Sequence, residues 1–186
     1  MEPIVFRAAP VSPAEFVAYW FPQYTHPLET LYTENINRPR TRDVVIDLFK
    51  LKNGGKISKP KTESIDKYYV PLIGKPTPKP SVFLESFGTA KGGAIWPIFW
   101  LHCCDQSLPV YDQHVHRAMS FIEDGAMDEL DGKPDSEKIN LYLTRYLQFY
   151  RRFDGIDQRQ ADRALWVFGK FIKGSAFPEF RHLHKG

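Results

Sequence analysis

Between Asp135 and Phe153 the apolar residues Ile139, Tyr142, Leu143, Tyr146, Leu147, Tyr150 and Phe153 recur at spacings of three and four. That period lines one face of an α-helix. No segment shows the strict alternation of a half-buried strand, and the remaining apolar residues group in the same helical way. Ser12-Pro13-Ala14-Glu15 reads as a capping box with proline at the first helical position, followed by inward-facing Phe16, Val17 and Trp20 and a stop at Pro22. A second helix runs from about Thr41 through Val44, Val45, Leu48, Phe49 and Leu51 to the breaker Asn53-Gly54-Gly55. The fold class is all-α.

Later helices are marked as plainly. A short one carries Val82, Phe83, Leu84 and Phe87. Another, from about Ala94 to Cys104, is apolar on nearly all sides and therefore central, with Pro97 in its first turn. Asp112 is an N-cap for a helix bearing Val115, Met119 and Ile122 and ending at Gly125. Asp157-Gln158-Arg159-Gln160 opens the last helix as a capping box, Ala161, Ala164, Leu165, Phe168 and Ile172 follow, and Gly174 ends it. The segment from Lys56 to Pro80, with Lys59-Pro60-Lys61 and Lys75-Pro76-Thr77-Pro78-Lys79-Pro80, reads as a surface excursion of a single domain spanning 1–186. The residues before it are too few for an unstapled core of their own.

A chain of 186 residues, 15% of them aromatic, can build its core without staples. Cys103 and Cys104 are sequence neighbours that cannot reach ordinary disulfide geometry, and they read as two buried small hydrophobes in a reducing compartment. There is no run of about 18 apolar residues, nor a basic cluster followed by a long apolar run at the start. A soluble cytoplasmic protein without a membrane partner is the expectation. Charge is unevenly placed. From Asn35 to Lys91 there are 12 Lys or Arg against 5 Asp or Glu, whereas Glu123 to Glu137 holds 7 acids and 1 Lys. The basic sector points to a polyanionic partner, since lysines near phosphates release condensed counterions, or else to a solvated loop.

The run Leu108-Pro109-Val110-Tyr111-Asp112-Gln113-His114-Val115-His116-Arg117 resembles the segment of helix-hairpin-helix DNA glycosylases in which a buried apolar stretch ends in Asp-Thr-His-Val-x-Arg. Asp112, His114, Val115 and Arg117 fall on matching positions, and Gln113 stands where the threonine is usual. Upstream, Phe87-Gly88-Thr89-Ala90-Lys91-Gly92-Gly93-Ala94 takes the place of that family's Gly-rich hairpin, without its intact Leu-Pro-Gly-Val-Gly-x-x-Thr-Ala pattern and with a longer spacing to Asp112. The stretch Ala164 to Lys170 resembles the segment before the iron–sulfur cysteines of some members, but no cysteines follow, so no cluster or other cofactor is expected.

The resemblance implies a compact helical glycosylase core, DNA as partner, and Asp112 as the carboxylate that stabilises positive charge on the sugar as a nucleobase departs. Asp112 reads equally as a plain N-cap, and a capping carboxylate is kept ionised by the N–H groups it accepts from. Lys91 is the candidate for the hairpin lysine that forms a Schiff base in strand-cutting members, displaced from that position, and otherwise a phosphate contact or a solvated lysine. Gly88, Gly92 and Gly93 would let backbone N–H groups approach a phosphate, or are turn residues. Trp96, Trp100 and Tyr111 are candidates for stacking on an extruded base, or core. Arg117 faces either an internal acid or a phosphate, and His114 braces the aspartate's helix. Asp112, His114 and His116 resemble a metal-ligand triplet, yet helical residues two apart point about 200° from each other, and no metal is expected. Three functions remain open: a DNA glycosylase-like hydrolase, a non-catalytic nucleic-acid-binding or scaffold module, and a glycosidase of small nucleosides or nucleotides.

Overall fold

The computed structural model describes residues 11–87 and 93–174, and every regular element among them is helical. Helix α1 (Pro13–Trp20) opens with the predicted capping box: the Ser12 side chain accepts from the Glu15 N–H while the Glu15 carboxylate takes the Ser12 N–H at 2.8 Å. A short α2 (Glu29–Thr33), unannounced in the sequence, leads to α3 (Arg42–Lys52), capped by the Thr41 hydroxyl and burying Val44, Val45, Leu48 and Phe49.

The Lys/Pro segment is not a plain excursion. Lys59–Tyr68 forms α4, with Ser58 at its N-cap position and Pro60 in its first turn, and Ile65 and Tyr69 behind it are fully buried. Proline at a helix start removes an N–H that would have had no helical partner, so the same residue that marks a linker also marks an N-terminus. Prolines 76 and 78 do behave as a spacer before α5 (Pro80–Phe87), which Pro80 opens.

Helix α6 (Ile95–Cys104) is the central one. Trp96 through Cys103 are all buried, and the Phe49 ring lies 4.8 Å from that of Trp96 and 5.6 Å from that of Phe99. Cys103 is buried as expected, but Cys104, one step round the helix, is exposed. Next comes α7 (Gln113–Asp124), capped by Asp112 and closed by Gly125 in the left-handed conformation at φ 67°. Its Val115 and Met119 are buried, while Ile122 stands at the surface.

The long amphipathic helix is interrupted rather than uniform. It comprises α8 (Asp135–Leu141), a π turn (Tyr142–Tyr146), α9 (Leu147–Tyr150) and a 3-10 turn (Arg151–Phe153). Tyr142 and Tyr146 are both fully buried and meet the Tyr111 ring at 5.5 and 4.8 Å. Helix α10 (Gln158–Lys173), capped by Asp157, makes its most extensive packing against α7 and also covers α1. One hydrophobic core runs through all these elements. None of the described helices is long and apolar enough to cross a membrane.

The α7–α10 contact is closer than side chains allow. A Cβ built on Gly169 would lie 1.8 Å from the carbonyl oxygen of His114, on backbone that cannot yield cheaply. Arg117, fully buried, crosses the same contact: Nη1 donates to the Gly169 carbonyl at 2.7 Å, while Nε and Nη2 grip both oxygens of Glu129 at 2.9 and 2.7 Å. Gly169→Ala must push α10 off α7, and overpacking at a rigid contact costs about 2–3 kcal/mol or more, so its thermal midpoint should fall by about 4–10 °C, measured by circular dichroism.

Candidate functional site

The strand-free loop after α6 runs through buried Pro109 and Tyr111 and delivers Asp112 to the start of α7. There the Asp112 Oδ1 accepts the N–H groups of His114 (2.9 Å) and Val115 (3.2 Å), and Oδ2 takes the Lys52 ammonium at 3.1 Å. Lys52 comes from the last turn of α3, is 7% exposed, and also donates to the Tyr111 carbonyl at 2.9 Å. Burial works against a charge on Asp112, but the Lys52 ammonium, His114 and the capping N–H of Val115 outweigh it and hold the carboxyl below its ordinary range. Its side chain keeps 23% of its surface open. The result is an ionised, oriented and reachable carboxylate.

That opening is the wall of a cleft of about 360 Å³. Tyr24, His26, Phe99, His114 and Trp166 provide aromatic surface, Lys52, Asp112, Arg159 and Arg163 the charged groups, and Asp162 a second carboxyl. Trp166, from α10, stands edge-on to Tyr24 (5.4 Å) and His26 (5.6 Å) and, closer but less squarely, to His114 (5.0 Å, 61°), so one indole organises the aromatic wall. Arg159 and Arg163 are both anchored by Glu29, which also accepts the Tyr24 hydroxyl proton at 2.7 Å. Asn53 and Gly54 form part of the rim, where the Asn53 amide oxygen accepts the Lys61 ammonium at 2.5 Å. Asn53 also donates to the Lys56 carbonyl at 2.9 Å, so the exposed Lys56 and Lys61 adjoin that side of the opening.

Asp162 is the opposite of Asp112. It is 3% exposed, and its Oδ1 has no hydrogen-bond partner among the described residues. Burial pushes its carboxyl up to about 7, against the opposing pull of Arg159, the Tyr150 hydroxyl, the Val110 N–H and Lys52.

The sequence-predicted residues separate into distinct groups. Asp112 and His114 line the cleft. Tyr111 is fully buried beneath it, its hydroxyl donating to His116 Nδ1 at 2.8 Å while His116 Nε2 donates to Asp128 at 2.9 Å, so its ring presents no face to the cleft. Trp96 belongs to the core against Phe49 and Tyr69. Arg117 takes the internal acid of its two options. His114 Nδ1 faces Arg117 at 3.3 Å and its ring faces Trp166, whereas His116 points to Asp128. The two histidines therefore diverge, and no group of three metal-ligating side chains occurs among the described residues. Gly93 is in the left-handed conformation (φ 65°) beside the Asp135 carboxylate. Gly88, Lys91 and Gly92 lie outside the described residues. Missing from the sequence reading were Lys52, Asp162 and the Tyr24–His26–Trp166 wall, none of which sits in a local motif.

No protein-family profile, curated protein or solved structure matches this chain. The cleft itself is the ground for a functional reading.

Two measurements check these electrostatics. Lys52→Met removes the strongest opposing charge, so the Asp112 carboxyl should titrate at higher pH than in wild type when followed by carboxyl carbon NMR. For Asp162, the native state keeps a proton that the unfolded chain has released once the pH passes 3.8, and does so until about 7. Stability therefore falls as pH rises through that window and levels off above it. Asp162→Asn should abolish this slope, gaining on wild type by a few kcal/mol, about 5–10 °C in thermal midpoint, between acid and mildly alkaline buffer.

Proposed function

We propose that this chain is an N-glycosidic hydrolase acting on a base of nucleic acid, in the manner of the helix-hairpin-helix glycosylases that residues 108–117 resemble. The observation that carries the reading is the ionised Asp112 carboxylate held at a helix N-terminus on the open wall of an aromatic-lined cleft. A cleft of about 360 Å³ is at the small end of ligand sites, which suits one extruded base and its sugar.

In this reading the base enters among Tyr24, His26 and Trp166, and its sugar carbon comes to rest beside Asp112. As the bond from sugar to base lengthens, positive charge grows on the sugar, and a fixed carboxylate stabilises it without having to reorganise. The electron pair of that bond leaves with the base, which takes up a proton from solvent, while water adds to the sugar carbon and gives its surplus proton to solvent. Lys52 keeps Asp112 charged and in position. Lys56 and Lys61, which adjoin the rim through Asn53, favour a polymeric substrate, since a free nucleoside offers them no backbone phosphates.

One observation favours the alternative of a binding module on the same cleft: the Lys52 ammonium already compensates the Asp112 charge at 3.1 Å. Free-base detection by mass spectrometry decides between them. Wild type incubated with duplex and single-stranded oligonucleotides carrying many modified bases should release at least one base, and Asp112→Asn should lower that rate by about 100-fold or more while the protein stays folded. Oligonucleotide binding without release would establish the binding module, and release from nucleosides alone would make the substrate a small molecule.

A further inference from the structure

One end of α3 carries Lys52 into the cleft, and a second hollow lies at the other end, beside Arg38 and Arg40, which precede the helix. The two share no lining residue, and α3, with 11 residues, spans about 16 Å. The second hollow has a volume of about 420 Å³, within the range of small-molecule sites. Lys75, from the turn before α5, adds a third cation to its wall, and no Asp or Glu occurs among the described residues that line it.

Cations elsewhere on this chain are matched to acids. Arg42 meets Asp66 at 2.6 Å, Lys50 meets Asp47 at 2.8 Å, and Arg145 is held by Glu123 and Asp124. Arg38, Arg40 and Lys75 form no ion pair with any described residue. Arg40 spends both Nη atoms on the carbonyl oxygens of Asn35, Arg38, Ile36 and Cys103, at 3.2, 2.8, 2.7 and 2.6 Å, while its Nε is shut off from solvent without an acceptor. Carbonyl dipoles hold the guanidinium in place and leave its unit of charge uncancelled. The Cys103 bond also caps the end of α6, whose bare carbonyls would repel an anion. Asp105, next along the chain, turns Oδ1 to the Ser107 N–H at 2.9 Å and does not line the hollow.

Arg40 thus acts through its field, and the other two cations have donors to spare. Arg38 makes a single side-chain contact, to the Asn35 amide oxygen at 3.3 Å, and the Lys75 ammonium makes none among the described residues. The Lys75 N–H returns to the Leu72 carbonyl at 3.1 Å, and that turn fixes where the lysine leaves the backbone. Gln106 donates to the Asn37 amide oxygen at 2.9 Å, so Asn37 keeps its NH2 group as a further donor on the same wall. Half-buried Leu72 and Ile73 give the hollow an apolar side.

The geometry points to this hollow as a binding site for a phosphate monoester, its phosphate between Arg38 and Lys75 and its organic body against Leu72 and Ile73. Such a group carries about −1.5 to −2 charges at neutral pH and three acceptor oxygens, enough to meet two cations with open donors and a third charge behind them. A carboxylate brings half the charge. A bare phosphate ion leaves the apolar side and most of the volume unused. The site uses no residue of the glycosidic reading and stands or falls apart from it. A small metabolite and the phosphorylated end of a nucleic-acid strand carry the same group.

The test uses the full chain, with phenyl phosphate as probe and phenol, benzoate and inorganic phosphate beside it, read by titration calorimetry and by backbone amide NMR. Phenyl phosphate should bind and shift amides of residues 36–40, 72–77 and 104–106, while benzoate and inorganic phosphate bind about 10-fold more weakly or worse. Arg38→Gln combined with Lys75→Gln should weaken phenyl phosphate by about 10-fold or more with an unchanged thermal midpoint, and Lys56→Gln combined with Lys61→Gln should leave it unchanged. No binding by wild type, shifts confined to the cleft, full affinity in the Arg38/Lys75 variant, or equal affinity for phenol, benzoate or inorganic phosphate overturns the assignment. An oligonucleotide with a terminal phosphate, set against the same strand without it, then names the source. A preference that the Arg38/Lys75 variant loses assigns the ester to a strand end, equal binding assigns it to a small molecule, and the phosphate site stands in both.

Discussion

Everything at the site hangs on how α7 is held, and α7 is held by a buried arginine. Arg117 has no solvent contact, and taking a guanidinium out of water costs several kcal/mol unless its donors are met. Glu129 meets it with both oxygens, the Gly169 carbonyl with a third bond, and His114 Nδ1 lies at 3.3 Å. These partners come from the acidic loop after α7, from α10 and from α7 itself, so one side chain ties three parts of the chain. Gly169 makes the tie possible by letting the two helices approach until backbone meets backbone. Because the contact involves His114, two residues past Asp112, the packing of α10 also fixes the direction in which the capping carboxylate points.

The two aspartates of the cleft show how position sets chemistry in identical side chains. Asp112 stands where a helix begins, with free N–H groups and a lysine to favour its charge. Asp162 lies inside a helix, with its N–H groups already used, among tyrosine hydroxyls and two cations committed elsewhere. Charge is stabilised in the first and expelled from the second. That contrast places a carboxyl held below its ordinary range and one pushed above it in a single small cleft.

Much of the fold was legible because helix ends are written locally. Ser12 with Glu15, Thr41, Asp112 with Gly125, and Asp157 all cap where their residue types and spacing place them. The errors are equally local in cause. Lys59-Pro60-Lys61 reads as linker because proline and lysine are loop residues, yet proline is also at home in a first helical turn, and only the burial of Ile65 and Tyr69 decides between them. The π turn is invisible to a search for a period of 3.6, since it arises where Tyr142 and Tyr146 both bury against Tyr111. Trp96 and Tyr111 were reasonable stacking candidates by type, and packing put both of them in the core.

By itself the sequence determined the helical class, the ends of the side-chain-capped helices α1, α3, α7 and α10, and the capping role of Asp112, because these depend on hydrogen bonds spanning three or four residues. Tertiary structure alone decided which groups surround that aspartate. Lys52 reaches it from 60 residues away, Asp162 and Trp166 arrive on the last helix, and Tyr24 and His26 come from the loop after α1. Burial and charge at the cleft come from contacts distant in sequence, and no local pattern encodes a dielectric environment. For that reason the carboxylate could be found in the sequence, and its buried partner only in the fold.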